Sequence, residues 1–200
     1  DLEKEFSRPI CILADLQGPK LRCGDFKGAK SSLEAGQKFC FDLIERLGNK
    51  ERVYLPHPKI FQSVKKGDKL LIDDGKVAMQ VNKASEKKIE CTVLNDGIIS
   101  DKKGVNCPDS ILDLAPLTEK DKQDLEFVCG LGVDWIGLSF VQRAKDVDNV
   151  KKLLRGRAGI IAKIEKPAAV RVFDSIIDTA DGIMVARGDL GVELPIEAVP

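Results

Sequence analysis

Three apolar runs in the second half of the chain each end in polar or charged residues. They are Trp135-Ile-Gly-Leu-Ser-Phe140, Ile160-Ile-Ala-Lys-Ile-Glu-Lys166 and Ile183-Met-Val-Ala-Arg-Gly-Asp-Leu-Gly191. Ser139, Lys163 and Arg187 are spaced by 24 residues (163 − 139, 187 − 163), and so are Glu165 and Asp189 (189 − 165). Between the runs lie apolar residues at helical spacing. Thr118-Glu-Lys-Asp121 matches a capping box with Thr118 as N-cap, followed by Leu125, Val128 and Cys129 on one face and a stop at Gly130 or Gly132. Val147, Val150 and Leu154 mark a second helix, which Gly156 ends. A third opens at Pro167, a residue suited to the first helical position, and carries the stripe Ala169, Val172, Phe173, Ile176, Ile177 and Ala180. Strand alternates with helix, which predicts three βα units. Right-handed crossovers then make the strands parallel and gather their C-terminal ends on one side. A fourth strand is predicted at Ile10-Cys-Ile-Leu-Ala-Asp-Leu16, turned by Gln17-Gly-Pro-Lys20.

The pattern changes between about Gly24 and Cys107. Short alternating runs appear at Lys38–Leu43, Lys69–Ile72, Val77–Val81 and Ile89–Leu94, a period of two that predicts strands with one buried face. Asp74-Gly75 and Asp96-Gly97 each lie between such runs, so each predicts a β-hairpin. This segment reads as a small β-rich domain inserted into an α/β chain. The division expected is residues 1–21 as the start of the α/β part, 22–107 as the insertion and 108–200 as the three βα units.

Composition narrows the function classes. The 200 residues are 43% hydrophobic, enough for a real core, and 32 basic residues balance 32 acidic ones. A balanced charge and few aromatics argue against nucleic acid as a partner, and no run approaches the ~18 residues of a membrane span. The expected location is cytoplasmic. Six cysteines at 11, 23, 40, 91, 107 and 129 contain no CxxC-type pair, so they read as reduced, mostly packed thiols and not as a zinc site. The single histidine, His57, reads as a surface loop residue between two prolines, and one histidine excludes His-based triads and His-rich metal sites. The sequence does not start with Met and stops shortly after a motif, so the expectation is a piece of a longer protein.

The candidate chemistry sits at the strand ends. Lys163 and Glu165 are two apart on a strand and share a face. Neighbouring strands lie ~4.8 Å apart, so if the 24-residue period holds in space, Glu165 and Asp189 approach each other as a carboxylate pair. Such a pair would repel unless a cation sat between them. Oxygen ligands without His or Cys favour Mg²⁺ or Mn²⁺. The plainer alternative is that Lys163 forms a structural ion pair with Glu165 or Asp189. Gly188 and Gly191 could admit backbone amides to a ligand or simply make a turn. Ser139 taken alone reads as a satisfied strand-end hydroxyl, and Asp73-Asp74-Gly75 as a hairpin tip.

Four segments together resemble the pyruvate kinase family: Asp15-Leu-Gln-Gly-Pro-Lys-Leu-Arg22, Lys103-Gly-Val-Asn106, Ile161-Ala-Lys-Ile-Glu165 and Met184-Val-Ala-Arg-Gly-Asp-Leu-Gly191. The resemblance spans the chain in the right order. It implies an α/β fold, a partial (β/α)8 TIM barrel holding strands three to six, with a small β-barrel lid domain inserted after the third strand. It implies phosphoryl transfer from phosphoenolpyruvate to ADP, giving pyruvate and ATP as the last step of glycolysis. By the same resemblance Lys163 is catalytic, and Glu165 and Asp189 bind Mg²⁺ or Mn²⁺. Gly188, Ser139 and Arg187 line the substrate site, Arg22 and Asp74 bind nucleotide, and Asp15 with Lys20 marks the monovalent-cation region. The family is usually tetrameric, which makes a homotetramer the expected parent.

Three positions depart from the family pattern. Lys20 stands where many members have the Glu of Gly-Pro-Glu, and Leu16 replaces the usual Thr beside Asp15. An ammonium there implies that K⁺ is not required. Lys166 stands where Asn usually follows Lys-Ile-Glu, and no loss of function is expected from it. The family's upstream Arg/Asn/Ser motif, its downstream Thr and four barrel strands have no counterpart in the sequence, so the 200 residues alone are expected to be inactive. Two other classes remain open: an Mg²⁺-dependent lyase or aldolase acting through an enolate, and a non-catalytic binding module.

Overall fold

The computed structural model describes residues 2–199. In chain order the elements are α1 (Leu2–Phe6), β1 (Leu13–Asp15), β2 (Lys30–Leu33), β3 (Lys38–Asp42), β4 (Arg52–Tyr54), α2 (Pro58–Ser63), β5 (Lys69–Ile72), β6 (Val77–Ser85), β7 (Lys88–Val93) and β8 (Gly97–Ser100). There follow β9 (Val105–Asn106), α3 (Glu119–Gly130), β10 (Trp135–Leu138), α4 (Ala144–Leu154), β11 (Gly159–Ile164), α5 (Pro167–Arg171), α6 (Phe173–Ile177), β12 (Gly182–Val185) and α7 (Arg187–Glu193), with a 3-10 turn at Ile196–Ala198. The chain divides into two units, Asp1–Pro19 with Ala115–Ala186, and Lys20–Leu114 with Arg187–Pro200.

The first unit is the α/β part. Its sheet has the order β1-β10-β11-β12 with every pairing parallel, a curled half-barrel. The capping box at Thr118 is present in full: Asp121 N donates to Thr118 Oγ1 (3.1 Å) and Thr118 N donates to Asp121 Oδ2 (2.8 Å). The other oxygen of the buried Asp121 accepts the Gly18 N–H (3.1 Å), so the start of α3 is fastened to the turn that leaves β1. Val147, Val150 and Leu154 are buried on α4, and the chain leaves that helix through left-handed Arg155 and Gly156, as the glycine stop predicts.

Register corrects the 24-residue period. Trp135 pairs with Gly159, so 24 residues separate β10 from β11. Ile161 pairs with Gly182, so only 21 separate β11 from β12. The reason lies in the crossover, because a parallel register is set by the length of the connecting segment and not by the periodicity of the strand ends. Lys163 is therefore in register with Met184, not Arg187. Arg187, Gly188 and Asp189 lie beyond the strand in the first turn of α7. The expectation that Asp189 ends a strand does not hold.

The crossover itself differs from the single helix predicted after Pro167. It breaks at Val172 (φ −123°, ψ 28°) into α5 and α6. The break puts the predicted stripe out of phase: Ala169 and Ile176 are buried, while Val172 and Ile177 are exposed.

The second unit contains a mostly antiparallel six-stranded sheet, β4-β3-β7-β6-β5-β9, and a two-stranded ribbon, β2-β8. Alternation along β3, β5, β6 and β7 buries Phe39, Phe41, Leu70, Ile72, Met79, Val81, Ile89 and Cys91 as the period of two requires. Phe39 and Phe41 meet edge to face at 5.4 Å. The six cysteines are free thiols, and burial pushes the Cys91 thiol up to about 12.

Asp74-Gly75 makes the predicted hairpin between β5 and β6, with Asp73, Asp74 and Gly75 all left-handed (φ 52°, 56° and 84°). Asp96-Gly97 does not. After it the chain leaves β7 and pairs β8 with β2, while the Asp96 carboxylate accepts the Ala35 N–H (2.8 Å). Glycine is needed at 97 because a Cβ there would come 2.5 Å from Val77 Cγ2. The dipeptide serves close packing and not a tight turn.

A buried ion pair organises one end of this sheet. The Arg52 guanidinium forks onto both oxygens of Asp42 and also donates to the carbonyls of Ile44 (2.8 Å) and Arg46 (2.9 Å). Both residues are buried. Arg52→Met is therefore expected to lower unfolding free energy by about 3–5 kcal/mol, the cost of leaving one buried charge unpaired. A urea titration measures this. A loss under about 1 kcal/mol, the level of an exposed pair, would show that the pair is solvated.

Candidate active site

The C-terminal edge of the parallel sheet gathers four of the residues singled out from the sequence. Asp15 is the last residue of β1, and Ser139 and Glu165 come one residue after β10 and β11. Lys163 is the penultimate residue of β11. In parallel α/β sheets this edge is where ligands and catalytic groups collect.

Lys163 is the hub. Its Nζ donates to Asp15 (3.1 Å to Oδ1 and 3.0 Å to Oδ2), to Ser139 Oγ (3.0 Å) and to Glu165 Oε1 (3.1 Å). Three acceptor residues match the three N–H bonds of an ammonium. The Lys163 side chain is 13% exposed and that of Glu165 11%, whereas Asp15 is 53% exposed. Burial disfavours the Lys163 charge, but the hydrogen bond to Asp15 and the attraction of Glu165 outweigh it, and the pKa is raised. Lys163 is thus an ammonium throughout the neutral range. Of the ion-pair partners considered from the sequence, Glu165 is one. The other is Asp15, which residue spacing did not suggest because it lies 148 positions away.

Local backbone explains why these groups meet. Gly137 is in register with Asp15, and a Cβ at 137 would come 3.0 Å from Asp15 Oδ1. The missing side chain lets the carboxylate lie across β10 toward β11. Gly18 (φ 67°) turns the chain after β1, where a Cβ would come 3.2 Å from Ser139 Cβ. Ser139 Oγ donates to the Leu16 carbonyl (2.8 Å), which fixes its hydrogen and leaves a lone pair for Lys163. Phe140, the next residue, is left-handed (φ 62°), an uncommon backbone for a bulky side chain. Its N–H donates to Glu165 Oε2 (3.0 Å).

Glu165 is therefore held at both oxygens by donors. Each oxygen keeps a further lone pair, and a hard, all-oxygen donor suits Mg²⁺ or Mn²⁺. Among the described residues no three Asp, Glu, His or Cys side chains converge as a metal cage.

The remaining candidates lie in the second unit. Arg187, Gly188 and Asp189 are exposed on α7, and Lys20 is exposed. Arg22 is exposed, and its backbone N–H lies 2.9 Å from His57 Nε2. His57 is thus a half-buried partner of the backbone more than a plain loop residue, and burial lowers its pKa. Asp74 is exposed at the hairpin tip. Its neighbour Asp73 binds Lys76 (2.9 Å) and Lys103 (3.0 Å), and those two ammonium groups hold its carboxyl below the usual range. Sequence reading passed over Phe140. The signal available was its place directly after Ser139 at a strand exit, where left-handed residues often sit, but no residue-type rule singles out a phenylalanine.

The family model described as pyruvate kinase, barrel domain, matches residues 1–200. A pyruvate kinase of Methylorubrum extorquens is 51% identical over 199 residues, covering 100% of this chain and 42% of that protein. One from Thermococcus litoralis is 40% identical over 203 residues, covering 100% of this chain and 43% of its own length. The crystal structure of a pyruvate kinase from Cryptosporidium parvum superposes with a TM-score of 0.94 at 34% identity, over 98% of this chain and 43% of that one. The chain spans about two fifths of the length of the relatives it matches.

Proposed function

We propose, since this chain belongs to the pyruvate kinase barrel-domain family, that the protein transfers a phosphoryl group from phosphoenolpyruvate to ADP. The observation that carries this reading is Lys163, a largely buried ammonium held by Asp15, Ser139 and Glu165 at the C-terminal edge of a parallel sheet. In the reaction the bond between phosphorus and the enol oxygen breaks, and a terminal oxygen of ADP bonds to phosphorus. The enolate left behind takes a proton at its methylene carbon to become pyruvate. Such transfers need positioning and charge stabilisation more than covalent catalysis.

Lys163 supplies fixed positive charge beside the transferring group and the developing enolate. Asp15 and Ser139 hold that ammonium in place, so little reorganisation is left for the reaction step. Glu165 offers a doubly anchored carboxylate for Mg²⁺ or Mn²⁺. The ion, when bound, neutralises phosphate charge and draws electron density from the substrate oxygens. Asp189 is the second candidate ligand by motif alone. Gly188 and Arg187 are assigned to the substrate and Arg22 and Asp74 to the nucleotide on the same footing. A homotetramer in the cytoplasm is the family expectation. No helix among the described residues is long and apolar enough to cross a membrane.

Lys20 supports a second part of the reading, independence from K⁺. A fixed ammonium can replace the charge of a bound monovalent cation. The test is pyruvate formation from phosphoenolpyruvate and Mg²⁺ by the full-length protein, with and without ADP, in a buffer containing Na⁺ only. ADP-dependent turnover is expected, with less than about a twofold gain on exchanging Na⁺ for K⁺, under 0.5 kcal/mol. Turnover only after K⁺ is added would discard the Lys20 argument and keep the kinase. Turnover of substrate without ADP would favour the lyase class, and no turnover with either cation would remove the kinase reading.

A further inference from the structure

We infer that Lys166 is a positioning residue that acts through Phe140 on Glu165. The inference rests on the reading of Glu165 as a metal-binding carboxylate, and its own evidence is local. Lys166 Nζ lies 4.8 Å from the centroid of the Phe140 ring, within cation–π range. Phe140 is left-handed, and its N–H donates to Glu165 Oε2 (3.0 Å). A bulky residue does not hold φ 62° without help from its surroundings. An ammonium seated on the ring supplies such help from one side, and the close approach of Gly18 to Ser139 and Phe140 supplies it from the other.

The placement of Lys166 follows from sequence. It sits between Glu165 and Pro167, and a residue before proline is confined to extended backbone, as its φ −122° and ψ 142° show. Lys166 is also the N-cap of α5, and its side chain makes no capping bond but extends over the ring. The same short segment thus contributes the carboxylate, Glu165, and the cation that steadies the carboxylate's backbone donor. Lys163 anchors Oε1 and Phe140 anchors Oε2, so loosening Phe140 frees half of the carboxylate.

Two readouts on the full-length protein test the inference: hydrogen exchange of the Phe140 amide, and Mn²⁺ binding measured by electron paramagnetic resonance without substrate. Lys166→Met keeps the length and the apolar stem but removes the charge. It is expected to deprotect the Phe140 amide and to weaken Mn²⁺ binding about 10-fold, the lower range for loss of an outer-shell partner. Lys166→Arg, which can also stack on the ring, is expected to restore both. Phe140→Leu, which keeps an apolar side chain but no ring, should match Lys166→Met. Unchanged amide protection in Lys166→Met would overturn the inference, and so would lost protection with unchanged Mn²⁺ affinity. If Mn²⁺ binding by the unmodified protein were indifferent to Glu165→Gln, the metal reading would fail. The amide exchange would then still decide whether Lys166 holds Phe140.

Discussion

In the full-length protein, if it has the proposed activity, Lys163→Met is expected to lower kcat about 10²- to 10³-fold, with a smaller change in KM. That is the usual cost of removing one fixed electrostatic stabiliser from a transition state. The ammonium is held at 3.0–3.1 Å by Asp15, Ser139 and Glu165, so its position is set before substrate arrives. Charge that needs no reorganisation acts where negative charge grows and not on the resting substrate, which places the loss in kcat. A methionine fills the space and removes the charge. Asp15, with its side chain half exposed, then turns to water, while Glu165 is left largely buried with only the Phe140 N–H. A stability loss of roughly 1–3 kcal/mol follows from that unpaired acceptor. Steady-state kinetics and a melting curve separate the two effects. A drop in kcat below about 10-fold, with the melting temperature lowered, would make Lys163 a structural ion-pair residue instead.

Glu165→Gln in the full-length protein is expected to weaken Mn²⁺ binding by more than the roughly 10–100-fold that follows loss of an outer-shell partner, because in the proposed reading the ligand itself changes. The amide is isosteric, but it has one acceptor where the site requires two. Lys163 Nζ donates to Oε1 and Phe140 N donates to Oε2. Whichever way the amide turns, its NH2 meets a donor. The mismatch and the lost charge act together. Mn²⁺ titration of the variant reads the effect directly, and retained affinity within twofold would show that the ion, if bound, is held elsewhere.

Much of the first unit was legible in the residues. The capping box at Thr118 works because both partners lie within one helical turn, so local chemistry suffices. The apolar face of α4 follows from spacing for the same reason, whereas on α3 only Leu125 of the three predicted residues is buried. The parallel order of β10, β11 and β12 follows from strand–helix alternation and the handedness of crossovers. In the second unit the period-two runs became strands, yet the two Asp-Gly dipeptides had different fates. Asp74-Gly75 turns a hairpin, and Asp96-Gly97 carries the chain away to pair with β2. The residues are the same, and what differs is the packing against Val77, which lies 20 positions upstream (97 − 77).

The sequence by itself determined the element types, the clustering of polar residues at strand ends, and the motifs that carry the family. Those depend on interactions a few residues apart or on a pattern that survives as residue identity. Only the tertiary structure decided the register of β12 against β11, which moved Asp189 off the strand and into α7. Only it made Asp15 the partner of Lys163, and only it showed a phenylalanine in a left-handed backbone steadying Glu165. Register is fixed by crossover length and break points, and long-range pairing by side chains such as Gly137 that make room by being absent. Neither leaves a periodic trace along the chain.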